Sequence, residues 1–273
     1  MKDVLQKPAD SYEPRGRLDP VGFEHHVSFH TYLPPPDLTQ FIEHFWTIHW
    51  DKAGNTYNSV EVMHRPYVDV FVSIQQSGIQ GTFRSKRTYV AAGSGRIVGI
   101  RFRPGAFHAF WDGVLADLQD KVIDLQQVFP QTDSRYIEHL LTLDDQAIIH
   151  DLLTLVRAKR PHLDANIELI NEIITAIETD ESLQTVTAVA KRFGRSERWL
   201  QQLFLDYVGI GLKWLLKRHR LLAAAQQIRE NDQPNWAAIA YDLGYSSQQH
   251  FITDFKQVLG KTPRQYKKEL TVL

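Results

Sequence analysis

The chain has 273 residues, 43% apolar and 11% aromatic, which gives room and material for two domains with packed cores. Zero cysteine excludes disulfides, thiol nucleophiles and thiolate zinc sites, and fits a reducing cytoplasm. The net charge of −1 excludes a uniformly basic protein, and no apolar run is long enough for a signal peptide or a membrane span, so a cytoplasmic location without a membrane partner is expected.

Residues 1–27 are polar and hold three prolines, the pattern of a weakly ordered arm; an arm that folds over a ligand or partner is the alternative. The pattern becomes strand-like from Phe29 to Phe102. Pro34-Pro35-Pro36 breaks the chain, and Asp37 is placed to cap a short helix over Leu38–Phe45. Strands are expected at Trp46–Trp50, Val60–His64, Tyr67–Ile74, Gly78–Arg84, Thr88–Ala92 and Ile97–Phe102. Several alternate, as Val68, Val70, Val72 and Ile74 do, with glycine and serine between them, which suggests a compact antiparallel barrel or sandwich. Helical period returns at Pro104-Gly105, which opens an expected helix, and again in an amphipathic pair over Arg135–Leu141 and Gln146–Val156. Arg157, Lys159 and Arg160 suit the end of that pair and Pro161 stops it. The expected fold class is α+β in two domains. Residues 28–161 would form a β-rich, barrel-like domain with a helical extension, and residues 163–273 an all-α domain.

Six histidines precede residue 65: His25, His26, His30, His44, His49 and His64. A barrel could gather them around a metal, as cupin enzymes do, and a metal-dependent barrel fused to a DNA-binding or scaffold domain is the alternative function. No H-x-H pair occurs, however, and adjacent His25 and His26 would point to opposite faces of a strand, so no metal or cofactor is expected. Arg101 and Arg103 flank Phe102 and could clamp an anionic effector or form structural ion pairs. Trp46 and Trp50 either line a pocket for that effector or join an aromatic core.

The segment Ala238–Leu259 reads as helix, tight turn, helix. Gly244 stands at the turn and Ser246 or Ser247 can cap the second helix. Phe251, Phe255, Val258 and Leu259 share one face of it; Gln249, Thr253, Lys256 and Gln257 share the other, with His250 beside them and Gln248 near the start. Ala188–Val208 repeats the pattern. Ala188, Ala190 and Gly194 match Ala238, Ala240 and Gly244, and Leu200 and Phe204 match Phe251 and Phe255. The spacing is 50 residues before the turn and 51 after it, so the first turn is one residue shorter. Between the units, Gly211–Asn231 reads as one helix with Trp214, Leu221, Ala225 and Ile228 inward. Its length of roughly 30 Å is near the ~34 Å between successive major-groove faces on one side of B-DNA. From Glu181 onward there are 14 basic against 8 acidic residues, a balance of +6, and before it 17 against 24, a balance of −7. Starting at Leu163 instead brings the balance down to +1, so the first helix of the domain is acidic and is expected to face away from phosphate.

Leu163–Lys268 resembles the DNA-binding domain of the AraC/XylS family of bacterial transcription regulators. The matching residues are Ala190 and Gly194, the helix Ser196–Phe204, the linker helix, Ala240 with Gly244-Tyr245, and the run Phe255-Lys256, Gly260-Lys261-Thr262-Pro263 and Tyr266. Less closely, LPPPDLTQFIEHFWTIHW and VGIRFRPGAF are similar to sensor-like front domains of such regulators. The resemblance implies helix-turn-helix units at about 186–208 and 236–259 that read double-stranded DNA. It implies base contacts from Arg198, Gln201 and Gln202 in the first unit. Face and position in the second unit point to Gln248, Gln249, His250 and Thr253, since glutamine can bond adenine and arginine guanine. Phosphate contacts are expected from Ser196, Lys213, Arg218, Ser247, Lys256, Lys261 and Arg264. The front domain would bind a small-molecule effector, form a homodimer, or both, and RNA polymerase is a further expected partner; no catalytic residue is expected.

Overall fold

The computed structural model describes residues 27–51, 58–62, 65–91 and 93–270. All but Val27 of the expected arm, together with His25, His26 and His64, lies outside the described residues. Among the described residues eight strands come first: β1 Ser28–Tyr32, β2 Ile42–Asp51, β3 Asn58–Val62, β4 Asp69–Ser73, β5 Gly78–Gln80, β6 Arg87–Ala91, β7 Ser94–Phe102 and β8 Val122–Ile123. Six form an antiparallel sheet in the order β1-β2-β7-β4-β5-β8, and β3 pairs with β6. One sheet face carries Phe45, Val70, Val72, Val98, Ile100 and Phe102 into the main core. Two helices cover that face, α1 Ser134–Thr142 and α2 Asp145–Ala158, with Leu140, Ile148, Ile149 and Leu152 buried against it. His49 and Arg96, paired across β2 and β7, both reach Asp145 at the start of α2, at 2.6 and 3.4 Å.

Two expected helices are absent. Leu38–Phe45 is not helical: Pro36–Leu38 makes one 3-10 turn and β2 begins at Ile42. A bulge between Ile42 and His44 lets both Ile42 and Phe45 enter the core, and their spacing of three mimics a helical repeat. After Pro104-Gly105 the chain likewise makes only a 3-10 turn, Ala106–Phe110. Phe107 and Phe110 are three apart, the period of such a turn, and stack at 5.9 Å inside the core. Ile74, expected to continue the valine row, is 73% exposed because β4 ends at Ser73.

Among the described residues seven helices follow: α3 Ala165–Thr179, α4 Val186–Phe193, α5 Glu197–Val208, α6 Leu212–Glu230, α7 Trp236–Asp242, α8 Gln248–Leu259 and α9 Pro263–Leu270. Helix α3 is shared between the two parts. Its Ile167 lies in the core of the β-rich region, and Ile170, Ile173, Ile174 and Ile177 lie in the core under α5. The end of α5 is pressed onto the β-rich region as well. The Thr82 hydroxyl donates to the Val208 carbonyl at 2.8 Å, and the His108 and Tyr207 rings stack at 3.9 Å. Gly209, at φ +86, leaves so little room that a Cβ there would stand 2.7 Å from the Leu115 carbonyl oxygen.

Helix α6 serves two cores. Leu212, Leu215 and Leu216 pack with α3 and α5, while Leu221, Ala224, Ala225 and Ile228 pack with α7, α8 and α9. Each core is closed by a pair of residues from the repeat, Leu200 and Phe204 in the first and Phe251 and Phe255 in the second, all 0% exposed. Phe255 also meets Phe251 and Tyr266 edge-on at 5.6 and 5.8 Å. Phe255→Ala is therefore expected to cost about 3–5 kcal/mol of stability, measurable as an early transition in urea or thermal unfolding.

Candidate nucleic-acid interface

Both units are built in the same way. Helix α4 ends at Gly194 and α7 runs out at Gly244; both glycines are left-handed, at φ +62 and +72, where a side chain would be strained. Ser196 then caps α5 by accepting from the Trp199 N–H at 3.2 Å, and Ser247 caps α8 by accepting from the His250 N–H at 3.2 Å. One residue separates glycine from cap in the first unit and two in the second, which is the difference in turn length read from the repeat.

The wet faces lie opposite the buried rows. On α8, Gln248, Gln249, His250, Thr253, Lys256 and Gln257 are exposed. Gln249, Thr253, Lys256 and Gln257 line an open groove of about 600 Å3 with Ile252 and Thr262. The Thr253 hydroxyl donates to the Gln249 carbonyl at 2.9 Å, which holds its side chain along the helix. On α5, Arg198 and Gln202 are exposed, and the Gln202 amide donates to Asp206 at 2.8 Å. The remaining expected base contact is placed less openly. Gln201 is only partly exposed, with its side-chain oxygen packed against Gly211 at the start of α6. Trp199 is 37% exposed, with the Arg195 guanidinium 4.9 Å from its ring centroid.

Among the expected phosphate contacts, Ser196, Ser247, Lys213, Lys256 and Arg264 are exposed, and Lys261 is partly exposed and paired with Glu269. Arg218 departs from that expectation. It is 5% exposed and faces the β-rich region, beside Arg65, Tyr67 and Glu178 around a cavity of about 20 Å3. Burial, and then the charge of Arg65, bring its pKa down to about 10. A basic residue on a linker helix reads as solvent-facing, but this one lies on the side that the front domain covers.

The front-domain candidates divide similarly. Arg101 and Arg103 do not form a clamp. Arg101 makes a two-pronged ion pair with Asp69, at 2.9 and 2.8 Å, whereas Arg103 donates to the Thr39 carbonyl at 2.6 Å. Trp46 and Trp50 are each 9% exposed and stand opposite Gly99 and Gly95 across β2 and β7, on the sheet face away from the main core. The buried Trp46 indole N–H finds no acceptor among the described residues. Burial holds the neighbouring His44 ring down at about 3, so it is neutral at ordinary pH. Among the described residues no group of three His, Cys, Asp or Glu is arranged to hold a metal, and no helix is long and apolar enough to cross a membrane.

The residues that sequence reasoning missed are those between the elements. Lys217 of α6 donates to Asp254 of α8 at 3.0 Å, and Arg65 pairs with Glu178 of α3. A buried acid on a helix otherwise rich in amides was a usable signal for the first pair; no local pattern announced the second.

Two helix-turn-helix units on a shared linker helix, each with a dry back and an amide-rich front, define a DNA-binding domain attached to a β-rich domain. A family model described as a helix-turn-helix domain matches residues 189–269, and one described as a domain of unknown function matches residues 30–124. The regulatory protein SoxS of Escherichia coli K12 is 34% identical over 105 residues, covering 38% of this chain and 96% of that protein. The F1 operon positive regulatory protein of Yersinia pestis is 34% identical over 102 residues, 36% of this chain and 33% of its own length. A crystal structure of ToxT from Vibrio cholerae O395 aligns over 91% of this chain and 100% of its own, with 12% identity and a TM-score of 0.36. The chain belongs to the AraC/XylS family of DNA-binding transcription regulators.

The opposed burial of Lys213 and Arg218 separates their expected effects. Lys213→Ala should lower the slope of log affinity against log salt by about 1, as titrations at several salt concentrations would measure. Arg218→Ala should leave that slope unchanged and instead lower the melting temperature.

Proposed function

We propose that this regulator reads two successive major-groove segments, with α5 presenting Arg198 and Gln202 and α8 presenting Gln248, Gln249, His250 and Thr253 to base edges. Gln201 completes the first set if its side chain swings out from Gly211. Ser196, Lys213, Ser247, Lys256, Lys261 and Arg264 hold phosphates on either side. The observation that carries this reading is the separation of faces on α8: Phe251 and Phe255 are 0% exposed, while the glutamines at 248 and 249 and Thr253 are open to solvent.

Residues 163–273 act as the DNA-binding domain and residues 28–161 as the sensing or dimerising one, in the cytoplasm, with RNA polymerase met at the promoter. Effector binding is assigned to the sheet face of Trp46 and Trp50. Its support is the unanswered Trp46 N–H and the position of both rings outside the main core.

Selection of bound sequences from a random DNA pool with the full-length protein tests the reading. Enrichment of one site with two conserved blocks about one helical turn apart is expected, and enrichment of a single block would overturn the two-segment mode. On the selected site, Gln249→Ala should cost about 1–3 kcal/mol and relax preference at one base pair while leaving non-specific binding and the melting temperature nearly unchanged.

A further inference from the structure

Asp254 is out of place on a helix that meets DNA. A carboxylate there repels phosphate if exposed and pays a desolvation penalty if buried. It is buried, at 9% exposure, one turn beyond His250 and beside Phe255. One of its oxygens accepts from Lys217 Nζ at 3.0 Å; the same ammonium reaches Gln257 Oε1 at 3.4 Å. Its other oxygen lies 3.7 Å from His250 Nε2, beyond hydrogen-bond reach. Tyr245 closes the group. Its ring meets the His250 ring edge-on at 5.3 Å and packs on Phe251 at 5.5 Å, with the Arg220 guanidinium 5.1 Å from its centroid. Burial first, and then the charge of Asp254, push the Tyr245 hydroxyl up to about 12.

An apolar side chain at position 254 would fill the same space without the desolvation penalty. What the carboxylate adds is direction. Apolar packing of Phe251 and Phe255 fixes the distance of α8 from α6 but constrains its rotation less, because dispersion contacts are non-directional. The Lys217–Asp254 pair joins one point on α6 to one point on α8 and sets that rotation. The carboxylate also lies beside His250 Nε2, so the imidazole, 58% exposed, stands between Asp254 on one side and the Tyr245 ring on another.

We propose that Asp254 is a positioning residue for DNA recognition: anchored by Lys217, it sets the rotation of α8 and the orientation of His250, and so sharpens base discrimination where His250 points. This rests on the reading of His250 as a base-contacting residue, and the test separates the two. Full-length protein carrying Asp254→Asn, Lys217→Met, His250→Ala, and the last combined with Asp254→Asn, would be bound to the selected site and to all its single-base variants, with thermal melts alongside. The expected result is that Asp254→Asn and Lys217→Met each lose about tenfold or more in discrimination at the base pair that His250→Ala affects. Other positions keep their preference, and Asp254→Asn adds nothing in the His250→Ala background. Uniform weakening on every sequence would overturn the proposal, as would an additive effect in that background. So would an unchanged profile for Asp254→Asn when His250→Ala alters it, which leaves the reading of His250 intact. An unchanged profile for His250→Ala would remove that reading and the proposal together. If Asp254→Asn melts too early to assay, the Lys217→Met profile decides between these results.

Discussion

The arrangement of both DNA-reading units is set by one helix with two different dry faces. At about 100° per residue, Leu212, Leu215 and Leu216 centre on one side of α6, and Leu221, Ala224, Ala225 and Ile228 about 180° away. The first half is therefore buried under one unit and the second half under the other, on opposite sides of a rod of 19 residues. No glycine or proline interrupts it, so the two units are held at a fixed separation and a fixed relative rotation. Ala224 and Ala225, at 0% and 4% exposure, let the second unit approach the rod closely.

The front domain grips this assembly mainly at its first half. Helix α3 sends isoleucines into both neighbouring cores, and the end of α5 is fixed by the Thr82–Val208 bond and the His108–Tyr207 stack. Tyr207 is itself held by Asp164 and by the Asn166 amide at 3.0 Å, both at the start of α3. The recognition helix of the first unit is thus packed as part of the front domain's own surface. The second unit meets the front domain where Lys86 lies against Gly260, at the end of α8; a cation there also suits the negative end of the helix. Two polar contacts mark the seam: Arg65 pairs with Glu178, and one oxygen of Glu43 accepts from the Tyr67 hydroxyl at 3.3 Å. The Tyr67 ring lies 5.2 Å from both the Arg65 and Arg101 guanidinium carbons. Such contacts contribute geometry more than net stability, since each ion gives up its hydration to make them.

What was legible in the sequence was what repeats or punctuates. Gly194 and Gly244, the serine caps, and the paired rows Leu200–Phe204 and Phe251–Phe255 are local signals with fixed spacing, and they placed both units and the wet face of α8. Where the local signal was ambiguous, tertiary context decided. The bulge in β2 put Ile42 and Phe45 on one face with helical spacing, and Phe107 and Phe110 fit a 3-10 turn as well as an α-helix. The linker helix resisted reading for a different reason. With its apolar residues on one side in the first half and the opposite side in the second, a single inward stripe such as Trp214–Leu221–Ala225–Ile228 captures only the second half, and Trp214 is in fact only partly buried. Arg218 was misread because its partner surface lies some 150 residues earlier in the chain, and nothing near it in sequence announces that cover.

The same cover changes how the charge of the domain should be weighed. The surplus counted from Glu181 onward treats every cation alike, yet several are buried or paired within the protein. Arg218 is buried, Lys217 is bound to Asp254, and Lys267 lies 3.7 Å from Asp232. The cations left exposed are Lys191, Arg192, Arg195 and Arg198 around the first turn and helix, Lys213 at the foot of the linker, and Arg229, Lys256, Arg264 and Lys268 around the second unit. Exposed cations therefore flank both units, while α8 adds amides, a hydroxyl and an imidazole, the kinds of group that can tell one base from another.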